Sequence, residues 1–139
     1  MVKAFQISRD TPAYYLTCVT HNRLPIFQTD KVKEIVANAL DEARNSSGIS
    51  IFVYVIMPDH KHILTDNVRE MKDVLRFVNG ISAKRVIDYL KENGFESSLQ
   101  KLRIQERENR HKHSVYEHHS NAIRITGEDA FMQKVNYIH

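Results

Sequence analysis

Apolar residues recur with helical spacing after position 30: Val32, Ile35, Val36, Ala39, Leu40 and Ala43 fall at i, i+3, i+4, i+7, i+8 and i+11. That spacing places them on one stripe of an α-helix. Thr29 or Asp30 supplies an N-cap, and Asn45-Ser46-Ser47-Gly48 supplies the stop. Before this helix, residues 14–20 are rich in aromatic and β-branched side chains and follow Asp10-Thr11-Pro12, which predicts a first strand leaving a turn. Residues 49–56 are almost wholly apolar, the pattern of a central strand covered on both faces. Met57-Pro58-Asp59 breaks the run before a short strand at 60–65, so the pair reads as a hairpin.

A second helical stretch spans about 68–93, with Met71, Val74, Leu75 and Val78 on one face and Gly80 as a point where it kinks or divides in two. Residues 101–113 are dense in charge and predict an exposed arm. Short strands are expected at 114–117 and 122–125, and Gly127-Glu128-Asp129 opens a last helix. The order β-α-β-β-α-β-β-α predicts an α+β domain, an antiparallel sheet with packed helices of the ferredoxin or RNA-recognition-motif kind.

Composition narrows the picture modestly. A chain of 139 residues with 42% hydrophobic and 27% charged residues suits one domain with one core. The longest apolar run is far short of a bilayer span and the N-terminus carries no apolar signal core, so no membrane partner and a cytoplasmic location are expected. The single Cys18 cannot form an internal disulfide, and its strand setting predicts a buried thiol. A net charge of +3 permits a polyanionic partner without requiring one.

Two features could carry chemistry. His60 and His62 flank Lys61 on a strand, where alternation sends both imidazoles to one face and Lys61 to the other. Two adjacent imidazoles can share a cation, although an isolated His-x-His is more often a pair of surface residues. On the last helix Phe131, Val135 and Ile138 share one stripe, while Tyr137 and Gln133 lie together off it, one turn apart. Periodicity alone leaves Tyr137 an amphipathic residue at the rim of the core. The histidines at 111, 113, 118 and 119 flank a charged segment without cysteine pairs, a poor pattern for structural zinc.

Taken together, YYLTCVTHNRLPIF near the start, YVIMPDHKHIL in the middle and the ending QKVNYIH resemble the REP-associated tyrosine transposases and their insertion-sequence 200-type single-tyrosine relatives. The resemblance runs almost the whole length. It implies that His60 and His62 hold a divalent cation, Mg2+ or Mn2+, and that Tyr137 is the nucleophile that forms a 5′-phosphotyrosine and frees a 3′-hydroxyl. Single-stranded or hairpin DNA is the implied substrate, and a homodimer is known in one branch of the family. Lys61 stands where the family usually has an apolar residue and Asp59 where asparagine is commoner, which predicts a more charged local surface. The family's Asn-Pro-Val segment and further helix have no counterpart here, so a chain of one catalytic domain without that extension is expected. The third ligand those relatives take one turn beyond the tyrosine would fall after His139, which leaves Gln133 as an accessory candidate.

For DNA contacts, Arg69, Lys72 and Arg76 recur along one side of the second helix, and Arg23, Lys101, Arg103, Arg107, Arg110 and Lys112 could add others. Two rival readings are a non-catalytic nucleic-acid-binding module and a metal-dependent nuclease that uses water. Neither needs the tyrosine.

Overall fold

A computed structural model describes residues 7–103, 113–117 and 120–138. In chain order these form β1 (Ala13–Val19), a short 3-10 turn (His21–Arg23), α1 (Asp30–Ser47), β2 (Ile51–Met57), β3 (His60–Thr65), α2 (Met71–Glu92), α3 (Glu96–Lys101), β4 (Asn121–Ile125) and α4 (Glu128–Ile138). The strands make one antiparallel sheet in the order β2-β3-β1-β4, the ferredoxin-like arrangement expected for the α+β class.

Alternation along β1 sets up two layers. Tyr14, Leu16 and Cys18 face one way, into a core closed by Val32, Val36 and Leu40 of α1 and by Val74, Val78 and Val86 of α2. Ala13 and Tyr15 face the other way, where they meet Leu64, Ile125 and the α4 residues Phe131, Val135 and Ile138. Each large apolar side chain buried this way contributes about 1.5–3 kcal/mol. The expected helix caps are present: the Thr29 hydroxyl accepts from the Val32 N–H, and Gly48 closes α1 at φ 78°, a left-handed conformation that suits glycine.

Four expectations are corrected. β2 is an edge strand rather than a central one. Its apolar run arises because Ile51 and Ile56 pack toward α1 and α2 while Val53 and Val55 pack toward α4. Phe52, Tyr54 and Met57 remain 38%, 44% and 42% exposed, so neither face is fully covered. Helix α2 runs unbroken through Gly80, because every residue around it keeps helical pairing and the apolar face holds the core on both sides. The expected strand at 114–117 is reduced to a single bridge between Thr20 and Tyr116, since the Ser114 hydroxyl turns back onto the Tyr116 carbonyl and the Tyr116 ring turns into the core. The fourth correction concerns Lys61. It is fully buried beneath α2, so it adds no charge to the surface around the histidines. The short helix α3 was not anticipated. Most of the charged arm, residues 104–112, lies outside the described residues, as do His118 and His119.

Candidate active site

The hairpin between β2 and β3 turns in two residues, Pro58 and Asp59, with Met57 paired to His60. The loop after β1 holds that turn. Thr20 donates from both its backbone N–H (2.9 Å) and its hydroxyl (3.0 Å) to the Asp59 carbonyl, and the Phe27 N–H donates to the Pro58 carbonyl at 2.9 Å. Both Thr20 and Phe27 are fully buried, so the start of β3 is pinned to the core.

From this fixed start the period-2 alternation of β3 does what the sequence predicts. His60 and His62 register against Val19 and Thr17 on the α4 side of the sheet, and their ring centroids lie 4.9 Å apart. Each histidine uses Nδ1 on a protein partner. Nδ1–H of His60 donates to Asp59 Oδ1 at 2.7 Å. Nδ1 of His62 lies 3.0 Å from the Tyr15 hydroxyl and 3.1 Å from the Thr17 hydroxyl. With the proton on Nδ1 and shared with those oxygens, Nε2 of both rings keeps its lone pair, the arrangement metal-binding histidines use.

The electrostatics agree. Burial, the neighbouring His60 and the charge of Lys134 all hold the His62 imidazole below its usual range, and therefore neutral. The hydrogen bond to His60 lowers the Asp59 carboxyl, with Arg23 assisting, so this partner is ionised. Burial pushes the Tyr15 phenol up; the Thr17 hydroxyl opposes that shift and the nearby Tyr137 phenol adds to it. Among the described residues no third His, Cys, Asp or Glu joins the pair. The donor set therefore fits a cation that takes two protein nitrogens and fills its other positions with oxygen from water or substrate.

Helix α4 brings the tyrosine. Ile138 is buried against the sheet, and Phe131 and Val135 pack beside it. Tyr137, about 130° around the helix from the centre of that stripe, is 70% exposed, yet its ring lies 5.8 Å from that of His62 in an edge-on contact. His60, His62 and Tyr137 thus meet on one open face within a single chain.

The other candidates fall elsewhere. Gln133 is exposed, and on the helical wheel it lies about 40° to the solvent side of Tyr137. Arg23 stands next to the site, with Nε 3.3 Å from Asp59 Oδ2. Arg69, Lys72 and Arg76 belong to α2 or its lead-in, on the opposite layer of the sheet. Arg69 donates to the Ser47 carbonyl at 2.6 Å and stacks over Phe77, Lys72 lies 3.9 Å from Glu70, and Arg76 lies 3.5 Å from Asp73. Lys101 ends α3 and is exposed, and Arg103 bridges to His113. Three residues that the sequence reading passed over lie in the site: Tyr15, Thr17 and Lys134. The first two carried a usable signal, because positions i and i+2 of β1 share the face on which β3 must place its histidines.

The chain belongs to the family described as transposase IS200-like, whose model matches residues 9–101. It is accordingly a transposase, an enzyme of DNA transposition and recombination, and the family is metal-dependent. Solved structures share the fold, among them the two that follow. A candidate transposase from Deinococcus radiodurans R1 is 19% identical, with a TM-score of 0.61, over 99% of this chain and 95% of that one. A REP-associated tyrosine transposase bound to a REP hairpin is 11% identical, with a TM-score of 0.62, over 99% of this chain and 68% of that one. No curated protein matches the sequence significantly.

Proposed function

We propose that this transposase cuts single-stranded or hairpin DNA by attack of Tyr137 on a backbone phosphate, which forms a 5′-phosphotyrosine bond and releases a 3′-hydroxyl. The observation that carries the reading is the convergence of Tyr137, His62 and His60, with ring separations of 5.8 and 4.9 Å. His60 and His62 would hold a divalent ion through Nε2. Such an ion, when bound, polarises the phosphate and stabilises charge growing on its oxygens. Nitrogen donors favour Mn2+ over Mg2+.

The protein's own part is positioning. Asp59 orients His60, and Tyr15 and Thr17 orient His62. Tyr137 stands on the exposed side of its helix, where a phosphate can reach it without entering the core. Arg23 is the best placed of the proposed phosphate contacts, with Lys101 and Arg103 farther along the chain. For Gln133 to serve as an accessory ligand its side chain would have to swing in from the solvent side of α4.

The hairpin substrate is supported by the REP hairpin bound to the fold relative. A homodimer is not needed to assemble these three residues, because one chain brings them together. We place the enzyme in the cytoplasm, with the DNA it would process; among the described residues no helix is long and apolar enough to cross a membrane.

The test is to incubate the protein and Tyr137→Phe with end-labelled hairpin DNA and Mn2+, then to look for covalent adducts on a denaturing gel. The wild type should give a metal-dependent adduct that the variant lacks. Cleavage without an adduct would favour a water-using nuclease, and binding with neither would favour a non-catalytic module.

A further inference from the structure

Among the groups gathered on the α4 face, one is unaccounted for by the reaction as written. Lys134 lies one turn before Tyr137, and on the helical wheel it sits about 60° from Tyr137 toward the buried stripe, the inner side, whereas Gln133 sits on the outer side. Its Nζ lies 4.8 Å from the centre of the Tyr15 ring. That same Tyr15 places its hydroxyl 3.0 Å from His62 Nδ1. Lys134 is half-buried there, and its charge is felt at His62.

A cation in this place repels any positive ion held by His60 and His62. Elsewhere the protein commonly supplies a carboxylate to its basic groups, as in Arg23–Asp59, Arg76–Asp73, Lys84–Asp88 and Arg85–Glu42. Lys134 has no such ion pair among the described residues, and the acids of its own helix, Glu128 and Asp129, sit in the first turn, well before it. Beyond the Tyr15 ring beneath it, the partner that suits an ammonium beside a second cation site is an anion that lies between the two.

We propose that Lys134 is a further catalytic residue, whose ammonium binds a non-bridging oxygen of the scissile phosphate next to Tyr137. The assignment rests on the reading of Tyr137 as the nucleophile. In the step concerned the Tyr137 Oη–phosphorus bond forms and the phosphorus–O3′ bond breaks. The phenol proton passes to solvent and the departing O3′ takes one up, so the ammonium of Lys134 transfers no proton and acts as a fixed charge. Because it repels the metal and attracts the phosphate, it also makes metal and DNA bind more tightly together than separately.

The experiment is single-turnover adduct formation on hairpin DNA with saturating Mn2+, using the wild type, Lys134→Gln, Lys134→Met and Lys134→Arg, with Mn2+ binding measured on each DNA-free protein. Met keeps the apolar stem over Tyr15 and so serves if Gln disturbs the helix. The neutral variants should form adduct on the order of 100-fold more slowly at saturating DNA, as when one preorganised oxyanion contact is removed. Arg should restore most of the rate, and the DNA-free neutral variants should bind Mn2+ at least as tightly as the wild type. A rate within a few-fold of wild type in both neutral variants would overturn the assignment while leaving Tyr137 standing. A slower rate accompanied by weaker Mn2+ binding would also overturn it, since Lys134 would then be organising the metal site. No adduct from the wild type itself would sink the nucleophile reading and this proposal together.

Discussion

At the scale of single residues, the site depends on what holds the two histidines as much as on the histidines themselves. Asp59 fixes His60, and Tyr15 with Thr17 fixes His62, in each case at Nδ1. Removing such a partner typically costs 10–100-fold in metal affinity, roughly. Asp59→Asn and Thr17→Val should therefore weaken Mn2+ binding by about 10-fold or more in a titration of the DNA-free protein, while leaving its melting temperature nearly unchanged. Unaltered affinity in both would contradict a role for Asp59 and Thr17 in holding the histidines. The sequence pattern placed the histidines on one face correctly; alternation along β1 put Tyr15 and Thr17 on a shared face, but their pairing with His62, more than 40 residues later, depends on the sheet register.

Lys61 is the residue that sequence reading misjudged most. Alternation correctly sent it to the face opposite the histidines, yet that face is the main core. There its ammonium donates to the Val78 carbonyl (2.8 Å), the Ser82 hydroxyl (3.3 Å) and the Tyr116 hydroxyl (2.7 Å). Burial lowers its pKa from 10.5 to about 8, while burial also drives the Tyr116 phenol well up, so that Tyr116 stays a neutral acceptor. The sign of the linkage follows: the unfolded chain holds this proton more tightly, so the penalty is fully present below pH 8 and fades as the pH rises toward 10.5. Compared with Lys61→Met, the wild type should gain stability through that window, by up to about 1.4 kcal/mol per pH unit. Urea unfolding of both proteins at pH 7.5 and 9.5 checks this. A stability difference that does not change with pH would contradict a buried, charged Lys61.

At the scale of elements, legibility tracked how local the determining physics was. Helix α1 was readable to within a residue, because a full apolar stripe, a threonine cap and a left-handed glycine all lie within its own sequence. The hairpin of β2 and β3 was readable for the same reason. The edge position of β2 was not, since an unbroken apolar run reports coverage by helices and says nothing of lateral neighbours. Gly80 misled in a different way. Glycine weakens a helix without breaking it, and here the flanking residues Val74, Val78, Ser82 and Val86 keep one buried stripe through the position. A Cβ added at Gly80 would meet nothing within 4 Å. Gly80→Ala should therefore stabilise the protein by about 0.5–1 kcal/mol, the ordinary difference between the two residues in a helix interior. Destabilisation in thermal or urea unfolding would show that α2 departs from a regular helix there.

At the scale of the whole molecule, the sheet separates two tasks. One face carries α1 and α2 over the larger core, and the other carries α4 and leaves the histidine end open. The basic residues that drew attention on α2 lie on the first face and are engaged locally, Arg69 with Ser47 and Arg76 with Asp73. Charge on α2 thus pointed toward the layer opposite the proposed site. The proposed site was drawn from two motifs almost 80 residues apart, and their meeting depends on α4 docking through Phe131, Val135 and Ile138. That packing also turns Lys134 of α4 over the Tyr15 ring, while Gln133 stays exposed.

The proposed role of Tyr137 is that of a DNA nucleophile working with His60 and His62. Its most direct test is to react the wild-type protein with hairpin DNA and Mn2+, digest the covalent product and locate the nucleotide-bearing residue by mass spectrometry. A nucleotide should be found on Tyr137, joined through a 5′ phosphate and absent when His60 and His62 are both replaced by alanine. A nucleotide on another residue, or a yield unaffected by loss of the histidines, would contradict it.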